Sequence, residues 1–269
     1  MTRPRSRRRG ILIVAGATAA AGSIAAASRV LLGRQAAIAR RRIGKPLGET
    51  ALDADRVWRP KLPGEPVRVL LVGDSIAAGL GAERPKDVLG ARIAKGLARF
   101  LHRPVQLRTV AVVGAESQDL TRQLDRLPDA YRPAVAVIIV GGNDVTHRTP
   151  VSVAAAHLAG AVSRLRARGS AVVVGTCPDL GALRPVPQPL RALGAQASRQ
   201  LAAAQDAAAR RAGARVVSLR RAVGPVFVAN PDDMFSLDRF HPSALGYRRT
   251  ADALLPEVVA ALAAQHSPS

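Results

Sequence analysis

Residues 67–79 read VRVLLVGDSIAAG, and this stretch decides the architecture. Five of its first six residues are apolar, with no alternation, as a strand buried on both faces requires. Gly73 ends the run, and Asp74-Ser75 leads into a helix-compatible Ile-Ala-Ala segment. Outward from this strand-to-helix turn, short β-branched runs recur at 105–112, 135–140, 171–176 and 214–219. Between them, 87–101, 119–127, 152–168 and 195–212 carry helical patterns, with Gly169 and Gly213 where C-caps are expected. A last helix is expected over 243–263, with Ser243 as its N-cap and a kink or restart at Pro256. Five strands alternating with helices predict an α/β three-layer sandwich: a five-stranded parallel sheet with helices on both faces. Such sheets carry their sites beyond the carboxyl ends of the strands.

Those ends hold the reactive residue types. The first strand runs into Gly73-Asp74-Ser75, the second ends near Gly114, and the third runs into Gly141-Gly142-Asn143-Asp144. Asp238-Arg239-Phe240-His241-Pro242 stands near the C-terminus. A serine hydroxyl is a weak nucleophile at neutral pH and needs an adjacent base. His241 supplies one, and Asp238, three residues earlier, can reach the other imidazole nitrogen and hold the tautomer. Charge developing on a substrate oxygen needs fixed donors. The candidates are the Ser75 N–H, the Gly114 N–H and the Asn143 side-chain amide.

These four blocks, in this order, resemble those of the SGNH (GDSL-like) hydrolase superfamily, over roughly residues 67–263, and the chain is similar to exported actinobacterial GDSL-type esterases. The second block is carried by Gly114 alone, followed by Ala115-Glu116-Ser117. The resemblance implies a flavodoxin-like fold. It also implies Ser75, Gly114, Asn143 and His241 in the four named roles, with Asp238 completing a triad and Ser75, Gly114 and Asn143 forming the oxyanion hole. The implied activity is ester hydrolysis through an acyl-enzyme on Ser75. A sugar O-deacetylase or acyltransferase on the same scaffold is the alternative, and a non-catalytic envelope-binding protein a more distant one. The superfamily's substrates include acyl esters, thioesters, phospholipids and acetylated sugars, and the sequence does not choose among them. The loop 178–189, with Leu180, Leu183 and Val186, is expected to border the pocket.

The chain divides into three segments. Residues 1–33 read as an export signal or membrane anchor: Arg3, Arg5, Arg7, Arg8 and Arg9 precede an apolar run at 11–27. A buried Ala-rich helix is the competing reading. Residues 34–66, with Pro46, Pro60, Pro63 and Pro66, read as a linker or peripheral segment. There Trp58, the only tryptophan, either pins the segment to the domain or meets a membrane surface. Residues 67–265 form the hydrolase domain.

The formal net charge is +21. Residues 1–45 hold 11 Lys or Arg and no acid, against 29 basic and 19 acidic residues in the rest. A basic balance can signal nucleic acid, but no helix-turn-helix, zinc-finger or RNP pattern is present, and no nucleic-acid partner is expected. Anionic lipid or cell-wall polymer suits the charge better. Cys177 is the only cysteine, so no intrachain disulfide forms; after Val172-Val173-Val174 it reads as a small buried hydrophobe. No His/Asp/Glu cluster has metal-ligand spacing, so neither metal nor cofactor is expected. His147 lies close enough to Asn143 to line the cleft or to sit outside it.

Overall fold

The computed structural model describes residues 26–266, so most of the expected export segment lies outside the described residues. The strands are β1 (Val57–Trp58), β2 (Val67–Gly73), β3 (Val105–Thr109), β4 (Val135–Ile139), β5 (Ala171–Gly175) and β6 (Arg215–Val217). The helices are α1 (26–43), α2 (Ser75–Ala78), α3 (Leu89–Leu101), α4 (Leu120–Asp125), α5 (Gly142–His147), α6 (Val151–Ala167), α7 (Leu190–Arg211), α8 (Leu219–Ala222), α9 (Gly224–Ala229), α10 (Pro231–Met234) and α11 (Ala244–His266). Among the described residues no helix is long and apolar enough to cross a membrane.

The sheet order is β1-β3-β2-β4-β5-β6. β2 to β6 pair in parallel, as expected, whereas β1 is antiparallel to β3. The sheet therefore has six strands and not five. The extra strand comes from 34–66, and its Trp58 packs in the core, with its indole N–H donating to the Ala54 carbonyl at 3.1 Å.

Side-chain alternation divides the core in two. Val69, Leu71, Val137, Ile139 and Val173 face α3 and α11. Leu70, Val72, Ala136, Ile138 and Val174 face α4, α6 and the end of α7. Leu70 and Leu71 are both fully buried, each worth about 1.5–3 kcal/mol of transfer free energy. With helices on both sides, these neighbouring positions are apolar for a packing reason. In α3, Leu89, Ile93 and Leu97 repeat at four-residue spacing and are all buried, giving the inward stripe of an amphipathic helix.

The helix ends obey the expected chemistry. Gly169 and Gly213 stand just past α6 and α7 with positive φ. The Ser243 hydroxyl accepts the N–H groups of Leu245 and Gly246 at the start of α11. Pro256 lies inside α11, which continues through it to His266. The expected restart does not occur. The buried Leu254, Val258 and Leu262 hold both halves to the sheet, outweighing the one backbone hydrogen bond a proline removes.

Candidate active site

β2 ends in a backbone conformation that only glycine tolerates. Gly73 has φ +135°, and a Cβ there would stand 1.8 Å from the Ile139 carbonyl oxygen. That close approach lets the Asp74 N–H donate to Ile139 at 2.9 Å. The chain then turns into α2. The Asp74 carboxylate caps this single turn by accepting the Ile76 N–H at 2.9 Å. Ser75, its first residue, is thereby held at the carboxyl edge of the sheet.

The partner loop lies 166 residues away. Residues 235–242 close on themselves: Ser236 N–H donates to the His241 carbonyl at 2.8 Å, and Phe235 bridges Pro242. Inside this loop one Asp238 oxygen accepts the N–H groups of Phe240 and His241 at 2.9 and 3.0 Å. The other lies 2.6 Å from His241 Nδ1. His241 Nε2 lies 2.9 Å from Ser75 Oγ. The fully buried Tyr247 of α11 donates its hydroxyl proton to the Leu80 carbonyl at 2.6 Å, fixing the histidine side of the site against the serine side.

Asn143, on the first turn of α5, lines the same pocket as Ser75 and His241. Its amide donates one N–H to the Ala115 carbonyl at 2.9 Å, leaving a second N–H. Gly114, with φ +83°, sits in the loop after β3 and has open space where a side chain would be. It does not line the pocket, but no hydrogen bond among the described residues uses its N–H or that of Ser75. Ser75, His241, Asp238 and Asn143 thus meet as expected, with Gly114 beside them and tied on through Ala115.

Three buried carboxylates shape the field. Burial pushes the Asp74 carboxyl up to about 6, with Asp144 adding to the rise. The Ile76 and Gly141 N–H groups and the charge of His241 act against it. Burial also raises Asp144, against hydrogen bonds from Ser117. Asp238 goes the other way. Burial is the largest single influence and raises it, but the hydrogen bonds from His241 and Phe240 and the charge of His241 together bring it below the ordinary aspartate value. Asp238 is therefore a carboxylate at neutral pH, as a partner for imidazolium must be.

The pocket beside Ser75 is apolar. Leu180, Leu183, Val223, Phe227, Phe235 and Phe240 line it. The loop 178–189 borders it through Pro178, Leu180 and Leu183, but Val186 does not reach it. Cys177 is buried, and burial raises its thiol well above the usual value, so it stays protonated and unreactive. His147 stands outside the pocket and pairs with Glu116 at 2.8 Å. Glu116 also accepts the Thr149 hydroxyl at 2.7 Å.

Two buried glutamines escape sequence reasoning. Gln123 accepts the Gly73 N–H at 2.9 Å and donates to the Gly73 carbonyl at 2.8 Å. Gln205 bonds Cys177 and Val140 in the same manner. The only available signal was a glutamine on the inward stripe of a helix, and that spacing alone does not name its partner.

Residues 71–249 match the GDSL-like lipase/acylhydrolase family. The chain is 41% identical over 259 residues to a GDSL-like esterase of Mycobacterium tuberculosis, covering 90% of this chain and 80% of that protein. Among solved structures it is similar to a lipase/acylhydrolase from Enterococcus faecalis (TM-score 0.58, 20% identity, 71% of this chain and 94% of that one). It is also similar to Axe2, an acetylxylan esterase from Geobacillus stearothermophilus (TM-score 0.56, 19% identity, 72% of this chain and 95% of that one). At these identities the solved structures speak for the fold. The family match and the mycobacterial relative go further: the chain belongs to the GDSL-like lipase/acylhydrolase family of the SGNH superfamily and is an ester-bond hydrolase.

Proposed function

We propose that the protein hydrolyses acyl esters through an acyl-enzyme on Ser75, with His241 as base and Asp238 as its partner. The observation that carries this is the 2.9 Å contact between His241 Nε2 and Ser75 Oγ, continued at 2.6 Å from Nδ1 to Asp238. Ser75 Oγ attacks the ester carbonyl carbon while its proton passes to Nε2. The Ser75 N–H, the Gly114 N–H and the second Asn143 N–H stabilise the oxyanion. The C–O bond to the alcohol then breaks, and the leaving oxygen takes the proton from His241. Water repeats the sequence on the acyl-enzyme, releasing the acid and restoring Ser75. The apolar lining from Leu180 to Phe240 favours an acyl chain over a sugar in this pocket.

A fluorophosphonate probe tests the assignment. It should attach to Ser75 and block turnover of a p-nitrophenyl ester, and Ser75→Ala should neither label nor turn over, with a loss of at least about 10³-fold. Labelling of another residue, or near-normal turnover in Ser75→Ala, would place the nucleophile elsewhere. Comparing long-chain esters with acetylated xylan tests the substrate class. Faster release of acetate from xylan would overturn the acyl-chain reading and favour a sugar O-deacetylase.

The same reading puts the enzyme outside the cytoplasm. The arginines before the apolar run at 11–27 support export, and the basic balance favours an anionic envelope surface. Esterase activity confined to the cytosolic fraction of producing cells would overturn this.

A further inference from the structure

β4 and β5 stop pairing at Ile139 and Gly175. Past that rung the ladder ends, and Val140 and Cys177 lose the partners a longer ladder would give them. Gln205 of α7 fills the gap. Its side-chain carbonyl accepts the Cys177 N–H at 2.7 Å, and its NH₂ donates to the Val140 carbonyl at 2.9 Å. The side chain is fully buried. Its amide plane therefore acts as one more rung, made by a helix and not by a strand.

The residues just after Val140 lead directly to the chemistry. Gly141 is the N-cap of α5, Gly142 its first residue and Asn143 its second. The Gln205 amide lies beside Gly141, close enough that a Cβ there would meet it at 3.1 Å. On its other side the Gly141 N–H faces the Asp74 carboxyl closely enough to favour its charged form. Gln205 thus holds the root of α5, two residues before the amide that faces the pocket.

We infer that Gln205 is a positioning residue: by completing the β4–β5 ladder it aims the Asn143 amide at the substrate oxygen. This rests on the reading of Asn143 as an oxyanion donor. A group that only satisfied two buried backbone atoms would add stability and leave the chemistry alone. A group that aims a donor changes kcat, because a small misplacement of a reacting or stabilising group is costly in rate.

A double-mutant cycle separates the two. Gln205→Met keeps the length and approximate volume of the side chain and removes both hydrogen bonds. It should lower kcat about tenfold with KM little changed. In an Asn143→Ala background, where there is no amide left to aim, the same change should cost less than about twofold. Should the methionine variant fail to fold, Gln205→Glu, which keeps the acceptor for Cys177, runs the same cycle. Equal losses in both backgrounds, while Asn143→Ala alone lowers kcat by about 10²–10³, would overturn the inference and leave the donor reading standing. A normal kcat in Asn143→Ala would sink the donor reading, and this inference with it.

Discussion

Asp144 accepts both the backbone N–H and the hydroxyl of Ser117, all contacts at 3.1 Å, and so ties the loop carrying Gly114 to the helix carrying Asn143. Asp144 is fully buried. Two of the three proposed donors, Gly114 and Asn143, come from different strand ends, and this carboxylate joins the Asn143–Ala115 bond in setting one against the other. Asp144→Asn replaces one acceptor oxygen with a donor facing Ser117. It should lower unfolding free energy by about 1–3 kcal/mol, the usual cost of a buried mismatch. Chemical denaturation of both forms measures it, and a change within error would mean that the loop is held elsewhere.

Asp238→Asn should lower kcat by about 10⁴. The amide can still accept the Phe240 and His241 N–H groups, but its NH₂ would then face His241 Nδ1. That forces the imidazole proton onto Nε2, the nitrogen that receives the proton of Ser75 in the proposed mechanism. Steady-state kinetics on a short ester give the answer. A loss below tenfold would mean that the histidine is oriented without the carboxylate.

Asp74 has a pH signature in stability. An unfolded aspartate gives up its proton near 3.8, whereas the folded group keeps it to about 6. Between those values the folded state binds more protons, so this group's contribution is most favourable below the window and declines as pH rises through it. Asp74→Asn removes the titration. Its unfolding free energy relative to wild type should therefore shift in favour of the variant between pH 4 and pH 7, whatever the offset from the altered cap. Denaturant midpoints at the two pH values test this, and parallel curves would refute it.

Gly73→Ala should be among the most damaging single substitutions in the domain. The added carbon would overlap the Ile139 carbonyl at 1.8 Å in a backbone conformation with φ +135°. Relief requires β2 and β4 to part at the rung that positions Ser75, at a cost of at least about 3 kcal/mol. Wild-type thermal stability in this variant would contradict the geometry of the turn.

Gln35→Ala should act on selectivity. Gln35 is buried and bonds the Gln188 carbonyl and the Leu190 N–H, at the far leg of the loop whose Leu180 and Leu183 line the pocket. Removing it should raise KM for long acyl chains roughly two- to fivefold and leave short esters unchanged. Comparing esters of both lengths checks this. An equal effect on both would show that the loop does not shape the acyl end.

The ends of β2 and β4 were legible because both obey a strong local rule: an apolar run for a strand buried on both faces, then glycine, then a polar side chain. Ser75 and Asn143 could be found that way without knowing their partners, and His241 by the aspartate three residues before it. β1 could not. Two residues, Val57 and Trp58, show no period, and their pairing with β3 is fixed by a neighbour about 50 positions away. Nor could Gln123 and Gln205 be read, since a buried amide looks in sequence like any polar residue on a helix. Of the kink or restart expected at Pro256, the restart fails because α11 is held by packing that overrides the local propensity.

The docking of α1 has a mechanical consequence. Arg42 also reaches this loop, at the Pro185 carbonyl, and α1 is helical over all of 26–43. Between residue 26 and the loop at 185–190 there is no irregular chain, only a continuous helix bonded to the loop at its middle through Gln35 and near its end through Arg42. A restraint applied to the chain ahead of that helix is transmitted to the loop at 185–190 as a lever transmits it.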